Sequence, residues 1–323
     1  MTRATRPAAY QGPGWRPRRV SLSDDMARER GPWSRRRVDS EYKRLEEVIL
    51  HCPGDELSRV HVPNAVQHLE RIDAAAIRRE YAVLAAALRK LGIEAHRLPL
   101  GSGSASWPAQ PNLMFARDLF FNTKEGAVVS RMGSAVRAGE EKHAALALAS
   151  LAVPINRTIS GTGTFEGADA LWLDAHTVVC AVGGRTNPEG LRQLREALRP
   201  QGVDVLSVAL PQGFQHLLGL LQIVDKRLAF LRHERAPQEL SRLLLKRGFS
   251  IRPVPESEET VVRQGMNLVV VAPRTILMPH DCPSLKRYYE RSGLTVAAEL
   301  DIRQIRRGAG GLACAVGIVS RRT

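Results

Sequence analysis

The chain has 323 residues, 44% of them apolar, with a formal net charge of +14 at pH 7 and four cysteines. That length can bury a large core, and no run of about eighteen apolar residues is present to cross a membrane as a helix. Cys52, Cys180, Cys282 and Cys314 are far apart and form no CxxC pair, which argues against a zinc site or a disulfide framework and fits a reducing, cytoplasmic setting.

Residues 1–38 hold ten Arg against Asp24, Asp25 and Glu29, so +7 of the net charge sits there. The stretch mixes Pro, Gly and Arg without periodicity and lacks the apolar run of a secretory signal. It reads as a disordered arm, followed by one domain over 39–323. A basic arm can touch nucleic acid without sequence preference, so the charge gives no reason to expect a specific nucleic-acid partner.

From about Ser40 a unit recurs five times. Each copy opens on a short β-type run: residues 47–50, 127–130, 177–180, 227–230 and 275–278. An amphipathic helix follows. The first carries Ile77, Tyr81, Leu84, Leu88 and Leu91, and later ones carry Leu191/Leu194/Leu198, Leu240/Leu243/Leu244 and Leu285/Tyr288/Tyr289. Pro188, Pro237 and Pro283 open three helices, where a missing N–H costs nothing. Gly92, Gly202, Gly248 and Gly293 close four, supplying the left-handed residue after a helix. The second helix, EEKHAALALASL, has no such glycine. A second strand comes next, and then a third β-type segment: NLMFARDLFF, TFEGADALWL, FQHLLGLLQIV, GMNLVVVA and GLACAVGIVS.

These third segments set Asp118, Glu166 and Asp169, His216, Asn267 and Cys314 at matching positions. A closed ring of repeats would gather them around one axis. A cysteine nucleophile needs such a set: a proton acceptor, a group to orient it and a counter-charge for the substrate. Gly308, Ala309, Gly310 and Gly311 precede Cys314 and leave room for backbone to approach a ligand closely. Taken singly, each residue has a plainer reading. A lone cysteine is usually buried and inert, a lone histidine on an apolar strand is usually core, and Asp118 next to Arg117 suits a structural ion pair.

The motifs together resemble the guanidino-group modifying enzymes: arginine deiminases, dimethylarginine dimethylaminohydrolases and amidinotransferases. The opening SEYKRLEEVILHCPGDEL, PNLMFARD from Pro111 to Asp118, FEGAD around Glu166, VGGRTN around Arg185, His216-Leu217 and the glycine-rich run into Cys314 carry the likeness. The resemblance implies a five-bladed α/β propeller (pentein) of ββαβ repeats. It implies Cys314 as nucleophile, His216 as acid/base, Glu166 as its orienting carboxylate and Asp118 as the grip on a guanidinium. Asn112, Phe115, Arg137, Arg185 and Asp169 join the substrate-binding set, with Arg137 and Arg185 as candidates for the substrate's carboxylate. Neither a metal nor an organic cofactor is implied, the partner is a small guanidino compound, and a homodimer stays open.

Two departures stand out. Deiminases of free arginine carry Asp two residues after the histidine, where this chain has Leu218, and Arg five residues before the nucleophile, where it has Ala309. The expected activity is hydrolysis of a guanidino C–N bond, most like the dimethylarginine branch. Amidino transfer to an amine is the alternative, and a catalytically dead propeller that binds nucleic acid is the remote one.

Overall fold

A computed structural model describes residues 6–99 and 110–322. Residues 1–5 of the basic arm and Leu100, at the end of the IEAHRLPL segment, lie outside the described residues. Between Pro7 and Val38 the chain carries a short helix, α1 (Leu22–Ala27), capped reciprocally by Ser21 and Asp24. The Val38 amide then donates to Thr123 O at 3.1 Å.

The strands are β1 (Leu45–Leu50), β2 (Glu94–Arg97), β3 (Phe120–Thr123), β4 (Gly126–Val129), β5 (Ile155–Thr158), β6 (Ala170–Asp174), β7 (Thr177–Val182) and β8 (Asp204–Ala209). They continue with β9 (Leu221–Asp225), β10 (Leu228–Leu231), β11 (Ser250–Pro253), β12 (Val269–Ala272), β13 (Thr275–Pro279), β14 (Thr295–Leu300) and β15 (Gly317–Arg321). They form five three-stranded sheets: β15-β1-β2, β3-β4-β5, β6-β7-β8, β9-β10-β11 and β12-β13-β14.

In every sheet the middle strand pairs antiparallel with one neighbour and parallel with the strand that follows the helix. A parallel pair needs a long crossover. That crossover is α2 (Ala74–Lys90), α3 (Glu141–Ser150), α4 (Pro188–Leu198), α5 (Gln238–Lys246) or α7 (Pro283–Arg291). Two small helices, α6 (Glu258–Val261) and α8 (Arg303–Arg307), complete the set among the described residues. The third segment of each repeat pairs with the strand opening the next one, and the last segment, β15, returns to β1 and closes the ring. The fold is the five-bladed α/β propeller that the resemblance implied, with the five units that the repeat marked out.

The helices bury the stripe that their sequences present: Ile77, Tyr81, Leu84 and Leu88 on α2, and Leu191, Leu194 and Leu198 on α4. The middle strands β4 and β10 are apolar and buried throughout, as strands covered on both faces must be. Gly92, Gly202, Gly248 and Gly293 all take positive φ beyond their helices. After α3, Ala152 adopts φ 53° in the same role, a conformation that costs a residue with a Cβ roughly 1–2 kcal/mol.

Candidate active site

A single tight turn leads into the inner strand of each sheet. Ala116–Asp118 precedes β3, Gly167–Asp169 precedes β6 and Leu217–Gly219 precedes β9. Asn267 stands just before β12 and Cys314 just before β15. The turns lean on one another across the ring. The Arg117 amide donates to Cys314 O at 3.0 Å, and the Leu217 amide donates to Asp169 Oδ1 at 3.1 Å. Gly167 fits because a Cβ there would lie 2.2 Å from Phe120 O.

His216 Nε2 is 2.7 Å from Glu166 Oε2, and its Nδ1 is 3.8 Å from Asp118 Oδ1. Glu166 is fully buried and also accepts from the Gly133 amide at 3.0 Å. Arg137 Nη1 lies 2.6 Å from Asp118 Oδ2 and 3.5 Å from Glu166 Oε2. The Arg137 Nε donates to Glu140 Oε2 at 2.9 Å, and Nη2 is as close to that oxygen without hydrogen-bond alignment. Asp118 Oδ1 is buried with no hydrogen-bond partner. A buried carboxylate oxygen in that state is costly unless something arrives to donate to it.

Burial alone would raise the Glu166 carboxyl, yet the His216 hydrogen bond and the Arg137 charge hold it down at about 2. Burial would lower His216, but the Asp118 charge and the Glu166 hydrogen bond lift it to about 9. Burial, and then the Asp118 charge, push the Cys314 thiol up to about 11. The resting site at neutral pH therefore holds an imidazolium and a neutral thiol. Asn267 works against that shift, donating from Nδ2 to Cys314 Sγ at 3.1 Å while its Oδ1 accepts from the Ala313 amide at 2.7 Å.

Cys314, His216, Leu218 and Asn267 line one cavity of about 290 Å³. At its mouth Arg232 lies 4.5 Å over the Phe214 ring and donates from Nε to Glu256 Oε1 at 2.7 Å. Arg235 lies 5.5 Å over the same ring and donates to Gln212 O at 3.2 Å. Arg137 and Arg185 do not line this cavity. Arg137 is locked among carboxylates, and Arg185 reaches Glu166 Oε1 at 3.5 Å and Gln67 Oε1 at 3.3 Å.

Asn112 bonds His68 and Val66 O, at 3.2 and 2.9 Å, as a clamp beneath the site. Asp169, pushed up to about 7 by burial, accepts from Thr186 Oγ1 at 2.7 Å as well as from Leu217 N. Arg117 turns away from Asp118 and pairs with Glu41 at 3.0 Å.

The glycine-rich run has a different use from the one its composition suggests. A Cβ on Gly310 would sit 2.1 Å from the Phe115 ring, one on Gly308 would be 2.3 Å from Met114 Cε, and one on Gly311 would be 2.4 Å from Asn267. The run makes room for this chain's own side chains, and Ala309 takes the left-handed turn at φ 67°. Sequence reading passed over Glu140, Phe214, Arg232 and Arg235. The Arg137-x-x-Glu140 spacing was a usable signal for the first of these, and Asn267 already stood at the matched fourth position.

Asp118, Glu166 and His216 offer three ligand atoms within 4.8 Å of one another. The Arg137 guanidinium already contacts one oxygen of each of the two carboxylates there.

Residues 100–226 match the family model described as arginine deiminase. The protein YkgA of Bacillus subtilis is 26% identical over 278 residues, 85% of this chain and 92% of its own length. An N(G),N(G)-dimethylarginine dimethylaminohydrolase of Streptomyces coelicolor is 30% identical over 142 residues, 40% of this chain and 54% of that enzyme. Among solved structures, a dimethylarginine dimethylaminohydrolase variant from Pseudomonas aeruginosa, complexed with citrulline, superposes with a TM-score of 0.69 at 21% identity, covering 85% of this chain and 99% of that one. An inosamine-phosphate amidinotransferase from Streptomyces griseus gives 0.66 at 18%, covering 89% and 97%. The chain thus carries an arginine deiminase match over residues 100–226 and shares its five-sheet fold with solved structures of both a guanidino hydrolase and an amidinotransferase.

Proposed function

We propose that the chain is a Cys314-dependent hydrolase of a guanidino C–N bond, acting through an S-amidino-cysteine intermediate. The observation that carries this reading is the buried, unpartnered Oδ1 of Asp118 beside an imidazolium and a neutral thiol. A guanidinium is the cation whose N–H fork suits a carboxylate edge. Once bound, it offsets the Asp118 charge and adds its own, so the Cys314 thiol loses its proton to solvent.

The thiolate attacks the guanidino carbon and a C–S bond forms. His216, held as imidazolium by Glu166, gives its proton to the departing nitrogen as the C–N bond breaks. The neutral imidazole then takes a proton from water. The hydroxide adds to the amidino carbon, the C–S bond breaks, and a ureido product leaves with the thiolate restored.

Leu218 gives the substrate class. It lines the cavity beside Cys314 and His216 and accepts no hydrogen bond through its side chain. An unsubstituted NH₂ against it is desolvated without compensation, whereas an N-methyl group gains about 0.8 kcal/mol per buried carbon. The preferred substrates are N-alkylated arginines or another alkylated guanidino acid. Arg235, which lines the cavity and whose guanidinium donates to Gln212 O, is better placed than Arg137 or Arg185 to meet the acid group.

The test is turnover of arginine, methylarginine and dimethylarginine, each with and without glycine as acceptor. Ureido product independent of the amine supports hydrolysis. Amine-dependent guanidination would establish transfer in its place.

A further inference from the structure

Glu140 has no part in the reaction proposed for Cys314, yet it is fully buried against a residue that touches both carboxylates of the site. The backbone fixes it there. The Glu140 amide donates to Arg137 O at 3.1 Å, in the turn that follows Arg137, and Glu140 stands at the start of α3 without a capping bond from its side chain. The carboxylate turns to the guanidinium instead, and Arg137 Nε donates to its Oε2 at 2.9 Å.

For a structural pair the two are poorly satisfied. Glu140 Oε1 and Arg137 Nη2 are both buried without a hydrogen-bond partner. A buried ion pair adds little stability even when fully bonded, and each orphaned polar atom is a further cost. What the pair achieves is visible at Asp118. That carboxylate takes one bond from Arg137, Nη1 to Oδ2 at 2.6 Å, and its Oδ1 is left open. A guanidinium that meets a carboxylate freely tends to take both oxygens through its fork. Here Glu140 holds the Nε edge, and Nη1 alone bonds Asp118. Burial would lower the Arg137 guanidinium, but the charges of Glu140, then Asp118, then Glu166 raise it. Burial lifts Glu140 to about 7 against the Arg137 charge, so at pH 8 it is largely ionised.

We propose that Glu140 is a positioning residue: by holding Arg137 along its Nε edge, it keeps that cation from closing over Asp118 and leaves Oδ1 to the guanidinium of the substrate. The inference rests on the reading of Asp118 as the grip on a guanidino substrate. Without the Glu140 charge, Arg137 can turn its unpartnered Nη2 to Asp118 Oδ1 and fill the place that the substrate needs. Glu166 is less open to such a change, because it already accepts from the Gly133 amide and pairs with His216.

The test compares Glu140→Gln, which keeps the shape, with Glu140→Asp, which keeps the charge at shorter reach. Steady-state kinetics on dimethylarginine at pH 8 should show KM raised roughly tenfold or more in Glu140→Gln, with kcat within about threefold of wild type, the pattern of lost uniform binding. Glu140→Asp should show a smaller rise. A role in packing alone reverses that order, since Gln preserves the volume, and a partly unfolded variant lowers kcat at unchanged KM. In the substrate-free enzyme, the rise of Cys314 alkylation by iodoacetamide with pH should move to lower pH in Glu140→Gln, because Arg137 then offsets the Asp118 charge that raises the thiol. A KM within about threefold of wild type in Glu140→Gln, or a larger rise in Glu140→Asp than in Glu140→Gln, overturns the inference. So does an alkylation profile that stays in place while wild type turns substrate over. The alkylation arm needs no turnover: a shifted profile, with no conversion of arginine, methylarginine or dimethylarginine by wild type, would defeat the proposed reaction and leave the hold of Glu140 on Arg137 and Asp118 standing.

Discussion

Replacing Asp118 by Asn keeps shape and volume but removes one charge from the middle of the site. The Asp118 carboxylate stands 2.6 Å from Arg137 and 3.8 Å from His216, with one oxygen unpartnered. Arg137 keeps Glu140 at 2.9 Å, so the fold around it should survive. The substrate loses one or two charge-assisted hydrogen bonds, each worth about 1.5–3 kcal/mol net, so kcat/KM should fall roughly 10- to 10,000-fold.

The second consequence has the opposite direction. After burial, the Asp118 charge is the main cause that raises the Cys314 thiol to about 11, and it is also the leading cause that lifts His216 to about 9. Without it both groups deprotonate at lower pH. In the substrate-free enzyme the rate of Cys314 alkylation by neutral iodoacetamide tracks the thiolate, so its rise with pH should move to lower pH in Asp118→Asn. The variant should thus be alkylated faster at pH 8 while turning over substrate far more slowly. A merely misfolded variant has no reason to show that pair of changes. A kcat/KM within threefold of wild type, or an alkylation profile displaced to higher pH, refutes the reasoning.

Leu218→Asp should raise kcat/KM for arginine relative to dimethylarginine by roughly tenfold or more, since a carboxylate replaces an apolar wall; steady-state kinetics on both substrates reads this, and an unchanged ratio removes Leu218 as the selector. Asn267→Ala deprives Cys314 Sγ of its 3.1 Å donor, so the alkylation profile should move to higher pH, opposite to Asp118→Asn. Gly310→Ala drives a methyl group into the Phe115 ring and should cost about 1–3 kcal/mol of stability by urea denaturation.

The sequence exposed the fold because each repeat carries local signals that need no partner. The β-rich runs, the helical stripes and the positive-φ glycines at 92, 202, 248 and 293 are properties of short segments. Strand pairing is not local, which is why the third segment of one repeat was legible as a strand but not as the first strand of the next sheet. The glycine run shows the same limit. Missing side chains are visible in a sequence, whereas the Phe115 ring and Asn267 that fill the space are not. Arg137 and Arg185 read as free cations because the sequence does not reveal that Asp118, Glu140 and Glu166 stand beside them. Arg235 carried no motif, and only the folded cavity singles it out.

In the proposed reaction Cys314 carries the amidino group between two half-reactions. Wild-type enzyme mixed with excess dimethylarginine and quenched in acid during steady state should yield, by peptide mass spectrometry, an amidino adduct on Cys314 and on none of Cys52, Cys180 or Cys282. The adduct should build up before steady state and decay as substrate is exhausted, and Cys314→Ser should form neither adduct nor ureido product. Turnover in Cys314→Ser, or an adduct on another cysteine, would contradict the account.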